Sequence, residues 1–384
     1  MDGLAEQQTL EPTLLDHMRA DILDEYNQEH SHPWIIGFSG GKDSTLVMHL
    51  VFEALLSLPP SARRRTVHVV ANDTLVESPL VVQHMVDSVN EIGEAAQVFG
   101  LPIVTQITRP KVDQTFWVNV IGRGYPPPNR SFRWCTDRMK ISPTSKYIKE
   151  QVDAAGRVIL LLGVRRSESS QRSASVGRYD TEGRLHQHND LQNCMVFRPI
   201  VEMHTDQVWD FLGNNEPPWG GTHLRLIGLY RKASGGECPV VTSMEDIPSC
   251  GTSSSRFGCW TCTVVEKDRS LEGFVEWGHD EFGPLLDFRD WLASIRNDPN
   301  RRQARRRDGR ITVTTTGALV PGPFTFQTRS EIFDRLRETE RQVGHRLLAD
   351  DEIELIYSIW NTEMASQGNH KSLEIRQLGG GALR

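Results

Sequence analysis

An α/β fold, with a parallel sheet covered by helices on both faces, is predicted by two patterns in the first half of the chain. Apolar runs of strand length alternate with longer stretches in which apolar residues recur at helical spacing. Runs that are apolar on both faces are typical of parallel strands, and the intervening helices supply the crossovers between them. The predicted strands are 34–38, 66–71, 101–107 and 157–164, and the predicted helices are 44–57 and 79–99.

The composition is that of a globular protein with a substantial core. The chain has 384 residues, of which 38% are hydrophobic and 24% charged, and a formal net charge of -7. No apolar run approaches the roughly 18 residues of a membrane-spanning helix, and the acidic first residues lack a signal-peptide pattern, so a cytoplasmic location is expected. The negative charge argues against nucleic-acid binding over the whole surface and leaves only a local basic patch for such a contact.

The second half of the chain is less regular. Residues 165–270 are rich in Gly, Pro, Ser and Cys with weak periodicity, which indicates an insertion or a metal-organised segment. From residue 330 onward two segments have helical periodicity. Ser330 is the expected N-terminal cap of the first.

A glycine-rich loop follows the first predicted strand and opens the first predicted helix, with the sequence Ser39-Gly40-Gly41-Lys42-Asp43-Ser44. Backbone N–H groups and the positive helix end converge there, and the glycines permit close approach, so the loop suits a polyphosphate. It does not match the P-loop motif G-x-x-x-x-G-K-[ST], because only three residues separate Gly37 from Gly41 and Asp43 replaces the hydroxyl residue. A simple glycine-rich turn is the alternative.

Further polar residues are predicted near the carboxyl ends of strands, where open α/β sheets bind ligands. Asp73 follows the second strand and is a candidate for holding ribose or magnesium, with a simple turn role as the alternative. Arginines in such places suit bidentate binding of phosphate, whereas solvated loop charge is the other interpretation. The basic candidates are Arg133, Arg138 and Lys140 around Cys135, and Arg165, Arg166 and Arg172 after the fourth strand.

Four cysteines are spaced as metal ligands often are. Cys238, Cys250, Cys259 and Cys262 have eleven, eight and two residues between successive members. A C-x-x-C with two further cysteines nearby predicts a metal site, and both zinc and iron–sulfur are open on spacing alone. Cys194, inside an apolar run, is predicted to be a buried apolar residue instead.

The combination of motifs resembles a known superfamily. The string S-G-G-K-D-S is similar to the PP-loop of ATP pyrophosphatases, which split ATP into AMP and pyrophosphate. The elements C-x-x-R-x-K at 135–140 and G-x-R-x-x-E-S-x-x-R at 163–172 resemble the phosphoadenosine-phosphosulfate (PAPS) reductase branch. With N-E-P-P-W-G at 215–220 and the cysteine motifs, the order over 34–265 is similar to the ATP-pyrophosphatase subunits of bacterial DNA phosphorothioation systems, the DndC/SspD type.

This resemblance implies two sets of site residues. A [4Fe–4S] cluster would be held by Cys135, Cys250, Cys259 and Cys262, with Cys238 as a mobile thiolate able to carry sulfur. ATP with Mg²⁺ would be held in the PP-loop, where Lys42 and Asp43 are catalytic. The implied ligands of ATP and pyrophosphate are Ser39, Gly40, Gly41, Lys42, Asp43, Ser44, Asp73, Lys140, Gly163, Arg165 and Arg172.

The same resemblance implies the function and the partners. ATP would adenylate a DNA phosphate oxygen, and sulfur from a cysteine desulfurase would replace that oxygen, with other phosphorothioation subunits as partners. The basic stretch 296–310 is expected to contact DNA, with a solvated arm as the alternative. A metabolic sulfonucleotide reductase is disfavoured because no cysteine follows Cys262. A non-catalytic nucleotide-binding zinc module is disfavoured by the intact Lys42 and Asp43.

Four parts of the chain are therefore expected. They are an N-terminal helical segment (1–33), a PP-loop ATP-binding domain (34–200), a cysteine-rich cluster-binding segment (201–275) and a mainly helical C-terminal region (276–384).

Overall fold

A mostly parallel sheet forms the centre of the fold in the computed structural model of the protein, which describes residues 12–168, 183–233, 257–313, 317 and 319–366. The order of its strands is β3-β2-β1-β4-β6-β5, and only the β5–β6 pair is antiparallel. The predicted α/β class is confirmed. The strands are β1 (Trp34–Gly37), β2 (Val67–Asn72), β3 (Ile103–Thr108), β4 (Val158–Leu161), β5 (Leu185–Gln187) and β6 (Cys194–Phe197).

The first four strands agree with the prediction, whereas β5 and β6 lie in the stretch predicted to be irregular. β6 is only four residues long, and it gains its stability by pairing with β4, from Val158 opposite Cys194 to Leu161 opposite Phe197. A run this short carries too little periodicity to separate it from a loop. The expectation that Cys194 is buried is confirmed, and burial raises the pKa of its thiol to about 12.

Helices pack against both faces of the sheet. Trp34 and Ile36 of β1 belong to the larger hydrophobic core, while Ile35 between them faces a smaller core together with Ile148. This alternation is the period of two that a strand imposes. The helices are α1 (Pro12–Tyr26), α2 (Lys42–Ser57), α3 (Pro79–Val98), α4 (Trp134–Thr136), α5 (Ser142–Ala155), α6 (Thr205–Asn214), α7 (Leu224–Lys232), α8 (Arg269–Glu276), α9 (Gly283–Ile295), α10 (Phe326–Val343) and α11 (Asp350–Ser366).

Short elements complete the described structure. Two π-helical turns lie at Val118–Gly122 and at Asp137–Ile141, and the second leads directly into α5. A small antiparallel hairpin pairs β7 (Thr312–Val313) with β8 (Leu319–Val320). Within the described ranges, each helix is too short or too polar to cross a membrane.

The C-terminal helices pack on the buried π-helical turn Val118–Gly122. The Trp360 indole donates to the Ile121 carbonyl at 3.0 Å, and the buried Arg329 guanidinium donates to the Gly122 carbonyl at 2.5 Å. Just beyond, Gly124 has a φ of 73°, and a side chain on it would lie 2.9 Å from the Phe324 carbonyl. This contact explains why a glycine is needed there.

The expected cap at Ser330 is wrong. Helix α10 begins at Phe326, and the hydroxyl of Thr325 accepts a hydrogen bond from the backbone N–H of Thr328 at 3.3 Å. The helix starts a full turn earlier because Thr325 supplies the cap and Phe326 packs on Trp360, with ring centroids 5.1 Å apart. The expected domain boundaries at 33, 200 and 275 stay predictions.

Candidate functional site

The glycine-rich loop lies between the carboxyl end of β1 and the first turn of α2. Gly40 has a φ of 75°, and a side chain on it would press on the Met85 backbone at 3.3 Å. The hydroxyls of Ser39 and Ser44 lie 3.1 Å apart, and Ser44 also donates to the Gly41 carbonyl at 3.0 Å, which closes the loop on itself. Because α2 begins immediately afterwards, the N–H groups of its first turn are directed toward the loop, as an anion site requires.

Three buried charges stand at the start of α2. The Lys42 ammonium lies 2.7 Å from one carboxylate oxygen of Asp43, and the Arg165 guanidinium donates to the other. Arg165 is 1% exposed, and its Nη1 group donates to the hydroxyls of Ser167 at 3.0 Å and Thr205 at 3.1 Å. Two cations thus surround one anion beside a positive helix end, an arrangement that attracts a further anionic group.

Gly163 explains how Arg165 reaches the loop. A side-chain carbon on Gly163 would lie 2.8 Å from the carbonyl carbon of Asp43 and 2.9 Å from the backbone nitrogen of Ser44. Only a glycine allows the chain leaving β4 to pass this close to the backbone of α2. Gly163, Lys42, Asp43 and Arg165, all predicted from the sequence, are therefore brought together.

Asp73 and Lys140 lie at the same edge of the sheet, around the end of β2. The Asp73 carboxylate accepts hydrogen bonds from the Leu75 backbone N–H and from the Arg109 side chain, both at 2.9 Å. Asp73 therefore shapes the turn after β2, which was the alternative to ligand binding. Lys140 lies in the π-helical turn Asp137–Ile141, and its positive charge acts on the carboxyl group of Glu77.

The C-x-x-C segment is attached to this same turn. The Trp260 backbone N–H donates to the Val76 carbonyl at 2.9 Å, and Cys259 pairs with Glu77 as an isolated β-bridge. The Cys259 sulfur lies 3.5 Å from the Thr74 hydroxyl and 3.9 Å from the Glu77 carboxylate. Burial raises the pKa of Glu77, opposed by the charge of Lys140.

Cys262 belongs to this segment, and aromatic residues connect Cys135 to it. Cys259 and Cys262 close one turn, with the Cys262 N–H donating to the Cys259 carbonyl at 2.9 Å. Cys135 follows Trp134, which connects through Phe116 and Trp117 to Trp260 by ring contacts of 5.6, 4.8 and 5.8 Å. A series of aromatic contacts therefore connects the segment of Cys135 to the C-x-x-C segment.

The metal site predicted from the cysteine spacing remains a prediction. In the portion of the chain that the structure describes, no three His, Cys, Asp or Glu side chains form a group that could hold a metal ion. Cys250, the fourth expected ligand, lies outside the described residues, as do Cys238 and Arg172. The thiols of Cys135, Cys259 and Cys262 would need a further ligand and local adjustment to complete a cluster site.

Two arginines of α9 and its end hold the cysteine segment in place; sequence reasoning missed Arg289 and placed Arg296 in the basic stretch 296–310 expected to contact DNA. Arg289, 1% exposed, donates twice to the Cys262 carbonyl at 3.0 Å and once to the Glu266 carbonyl at 2.7 Å. Arg296 donates to the Thr263 carbonyl at 2.6 Å and the Pro128 carbonyl at 3.1 Å. In the sequence they look like surface charges of an amphipathic helix, so no local signal identifies them.

Tyr230 of α7 is another residue that the sequence did not indicate. Its hydroxyl lies 3.5 Å from the Lys42 backbone N–H, and the Lys42 ammonium lies 5.6 Å from its ring centroid. The ring also contacts Phe257, two residues before Cys259, with centroids 4.7 Å apart. Tyr230 therefore contacts both the glycine-rich loop and the cysteine segment.

A buried histidine pair lies one helical turn beyond the loop. His49 Nδ1 and His223 Nε2 are 3.2 Å apart, and His49 Nε2 is 3.2 Å from the Glu53 carboxylate. Burial, with the neighbouring His49 and His84, lowers the pKa of His223 to about 4. Trp219 of the N-E-P-P-W-G segment packs edge-on against both His49 and His223 at 6.0 Å, so it is a core residue.

The chain is similar to another protein over part of its length. An uncharacterized protein of Methanocaldococcus jannaschii is 25% identical over 234 residues, which are 61% of this chain and 37% of that protein. The chain thus spans well under half of the length of that relative.

Solved structures resemble the chain only distantly. A phosphoadenylyl-sulfate reductase from Candida auris has 14% identity and a TM-score of 0.35, covering 57% of this chain and 93% of its own. A U34-tRNA thiolase from Methanococcus maripaludis, solved with its [4Fe-4S] cluster, has 12% identity and a TM-score of 0.33, covering 56% of this chain and 71% of its own.

The match to a protein-family model shows the family of the chain. The phosphoadenosine phosphosulfate reductase domain matches residues 33–265, which is more than half of the chain and contains the loop, Gly163, Arg165 and the C-x-x-C segment. The chain belongs to the phosphoadenosine phosphosulfate reductase domain family.

Proposed function

We propose that the protein is an ATP pyrophosphatase that adenylates a DNA backbone phosphate so that sulfur can replace a non-bridging oxygen. The observation that supports the proposal is that two sites follow neighbouring strands of the sheet. The glycine-rich loop follows β1 and the anchor of Cys259 follows β2, and these strands are parallel neighbours. A nucleotide bound at the glycine-rich loop would therefore lie near the thiol groups of the C-x-x-C segment.

The first step uses the loop residues. An oxygen of the DNA phosphate attacks the α-phosphorus of ATP, the bond from that phosphorus to the bridging oxygen of the β-phosphate breaks, and pyrophosphate leaves. The negative charge that develops on pyrophosphate is stabilised by the first N–H groups of α2 and by the Lys42 ammonium. Asp43 and Arg165 position Lys42, and Mg²⁺ bound with ATP would neutralise further charge.

The second step requires a sulfur donor. The terminal sulfur of a persulfide, formed on a cysteine desulfurase or passed to Cys238, attacks the activated DNA phosphorus, and AMP leaves with the former DNA oxygen. A thiolate then attacks the remaining sulfur–sulfur bond at the carrier sulfur, which releases the phosphorothioate and forms a disulfide. Thiolates are strong nucleophiles near neutral pH, so these attacks need no additional base to activate the sulfur.

An iron–sulfur cluster belongs to the proposal as a cofactor. Cys135, Cys250, Cys259 and Cys262 would hold a [4Fe–4S] cluster, which when bound would supply a redox-active, sulfur-binding centre. Arg289 and Arg296 would keep the C-x-x-C turn in place whether or not a cluster is bound, because they donate to backbone carbonyls of this segment.

A sulfonucleotide reductase is the second candidate, and the matched family favours it. Such an enzyme would bind a sulfonucleotide in the same loop and release sulfite without cleaving ATP. The two functions therefore differ in substrate: one consumes ATP and DNA, the other consumes a sulfonucleotide and a thiol reductant.

The test is sulfur incorporation into DNA. Anaerobically purified protein is incubated with ATP, duplex DNA, cysteine and a cysteine desulfurase, and the DNA is digested and examined by mass spectrometry for phosphorothioate dinucleotides. The proposal predicts ATP-dependent incorporation that the Lys42→Ala variant lacks. Sulfite release from a sulfonucleotide, with no sulfur in DNA under any condition, would favour the reductase instead.

A further inference from the structure

Two arginines from distant parts of the chain converge on one tyrosine. The guanidinium carbons of Arg138 and Arg307 lie 5.4 and 5.5 Å from the ring centroid of Tyr125. Arg307 also donates to the carbonyl of Arg123 at 3.3 Å, and Arg138 donates to the Tyr125 hydroxyl at 3.4 Å. The ring therefore holds two guanidinium groups in fixed positions, with a third, that of Arg123, alongside.

Among the described residues, two of the three arginines of this cluster have no acidic partner. Arg123 is 4.0 Å from a carboxylate oxygen of Asp113, but neither Arg138 nor Arg307 forms an ion pair with any residue in the described ranges. The neighbouring Asp308 is engaged by Arg310 at 3.1 Å. Unneutralised arginines grouped in a chain of net charge -7 indicate a site for an anion.

The charges of Arg138 and Arg307 affect the ionisation of Arg123. Burial lowers the pKa of Arg123, and the charges of Arg307 and Arg138 lower it further, whereas Asp113 opposes them. A bound phosphate would relieve this repulsion, and guanidinium groups suit phosphate because they bind it through two parallel hydrogen bonds.

The cluster lies beside the proposed reaction site. Arg138 stands three residues after Cys135, in the π-helical turn Asp137–Ile141, and the Asn72 side chain at the end of β2 donates to the Met139 carbonyl at 3.0 Å in that turn. A polymer bound across the cluster would therefore pass near the carboxyl edge of the sheet.

We propose that Arg138 and Arg307, arranged around Tyr125 with the charge of Arg123 alongside, form the surface that binds the DNA phosphate backbone. The identity of the polymer as DNA rests on the proposed function, and the placement of the surface rests on the contacts above. Contacts with one aromatic ring preorganise the two cations, so little side-chain entropy is lost when the DNA backbone binds.

The basic stretch 296–310 contributes to this surface through only some of its arginines. Arg302 is committed internally, since it donates to the carbonyls of Gly322, Arg296 and Pro321 at 2.6, 2.8 and 3.2 Å. Arg301 forms ion pairs with Glu331 at 2.6 Å and Asp298 at 3.5 Å. Neither can bind a phosphate without breaking these contacts, whereas Arg307 reaches the cluster through its contacts with the Tyr125 ring and the Arg123 carbonyl.

The test measures binding of a fluorescent DNA duplex by anisotropy between 50 and 200 mM salt, conditions over which each phosphate contact contributes a slope of about 0.9 in log K against log salt concentration. Arg307→Gln and Arg138→Gln should each flatten the slope by up to that amount. Tyr125→Leu should flatten it too, because the ring that holds both cations is lost, whereas Tyr125→Phe should retain wild-type binding. The matched control is Arg341→Gln, which removes an exposed arginine paired with Glu338 on α10 and should leave the slope unchanged.

Unchanged slopes in Arg307→Gln and Tyr125→Leu would overturn the proposal, as would equal losses in Arg341→Gln or tighter binding of an RNA duplex of the same sequence. Sulfur incorporation separates this result from the proposed function. If the wild type incorporates sulfur while the cluster variants bind DNA normally, the surface is wrong and the function stands. If the wild type binds no DNA yet cleaves ATP, the assignment of DNA as acceptor fails together with the surface.

Discussion

Gly163 passes so close to Asp43 that a side-chain carbon on it would lie 2.8 Å from the Asp43 carbonyl carbon and its oxygen. This contact fixes the end of β4 against the first turn of α2, and it sets the position from which Arg165 reaches the Asp43 carboxylate. A glycine far from the loop in the sequence therefore controls the shape of the loop.

Gly163→Ala should displace the loop and reduce ATP cleavage. Backbone atoms on both sides must shift to admit the methyl group, which costs about 1–3 kcal/mol of stability, and a displacement near 1 Å at a catalytic group costs about 100-fold in rate. Pyrophosphate release and urea unfolding measure the two effects. Gly213→Ala is the control, since a side chain there meets no atom within 4 Å, and equal losses in both variants would contradict this role of Gly163.

Arg165 and Arg166 are neighbours with opposite environments. Arg165 is 1% exposed and contacts Asp43, whereas the Arg166 side chain is 32% exposed and pairs with Glu202 at 2.8 Å. Arg165→Ala leaves the Asp43 carboxylate with one buried cation fewer, so Lys42 should be drawn more tightly to Asp43 and pyrophosphate release should fall by about 10-fold or more. Arg166→Ala should keep near wild-type activity, and a reversed order would place the phosphate-binding arginine at 166.

His223 should make stability depend on pH. Its pKa is lowered to about 4 in the folded protein, so between that value and about 6.5 the unfolded state binds more protons. The free energy of unfolding should therefore fall as the pH drops through this window, by up to about 3 kcal/mol. Urea unfolding at pH 7.5 and 5 should show a smaller pH dependence in His223→Gln, while the exposed His17→Gln keeps the wild-type dependence. The same dependence in all three proteins would contradict this.

The metal prediction concerns the cysteines. Protein purified without oxygen should be brown, with about four irons per chain and broad absorption near roughly 400 nm. Cys135→Ser, Cys250→Ser, Cys259→Ser and Cys262→Ser should each lose the colour, whereas Cys238→Ser and the buried Cys194→Ala should retain it. Iron retained in Cys250→Ser but lost in Cys238→Ser would exchange the roles of these two residues, and zinc in place of iron would support a structural site.

The loop and the sheet around it could be predicted because the signals are local. Within 34–57 an apolar strand is followed by two glycines, a lysine and a helical pattern, so each local signal supports the interpretation of its neighbour. Gly163 and Arg165 entered the prediction through the motif at 163–172, although their contact with Asp43 joins residues more than a hundred positions apart and has no local signature.

The residues that sequence reasoning missed act through tertiary contacts. Arg289 looks like a charge on an amphipathic helix, yet it is buried and holds the backbone of the cysteine segment. Glu77 follows a strand like many turn residues, and only the fold brings Cys259 to it. The strand β6 and the early start of α10 were missed because pairing with β4 and packing on Trp360 outweigh weak local preference.

The most direct test of the central claim is the identity of the products formed from ATP in the presence of DNA, cysteine and a cysteine desulfurase, with AMP and pyrophosphate both quantified. The wild type should release AMP and pyrophosphate in equal amounts, and Lys42→Ala should release neither while its circular dichroism is unchanged. Lys146→Ala, which removes an exposed lysine paired with Glu150 on α5, should behave as the wild type. Release of ADP and orthophosphate, or AMP formation that persists in Lys42→Ala, would contradict the account.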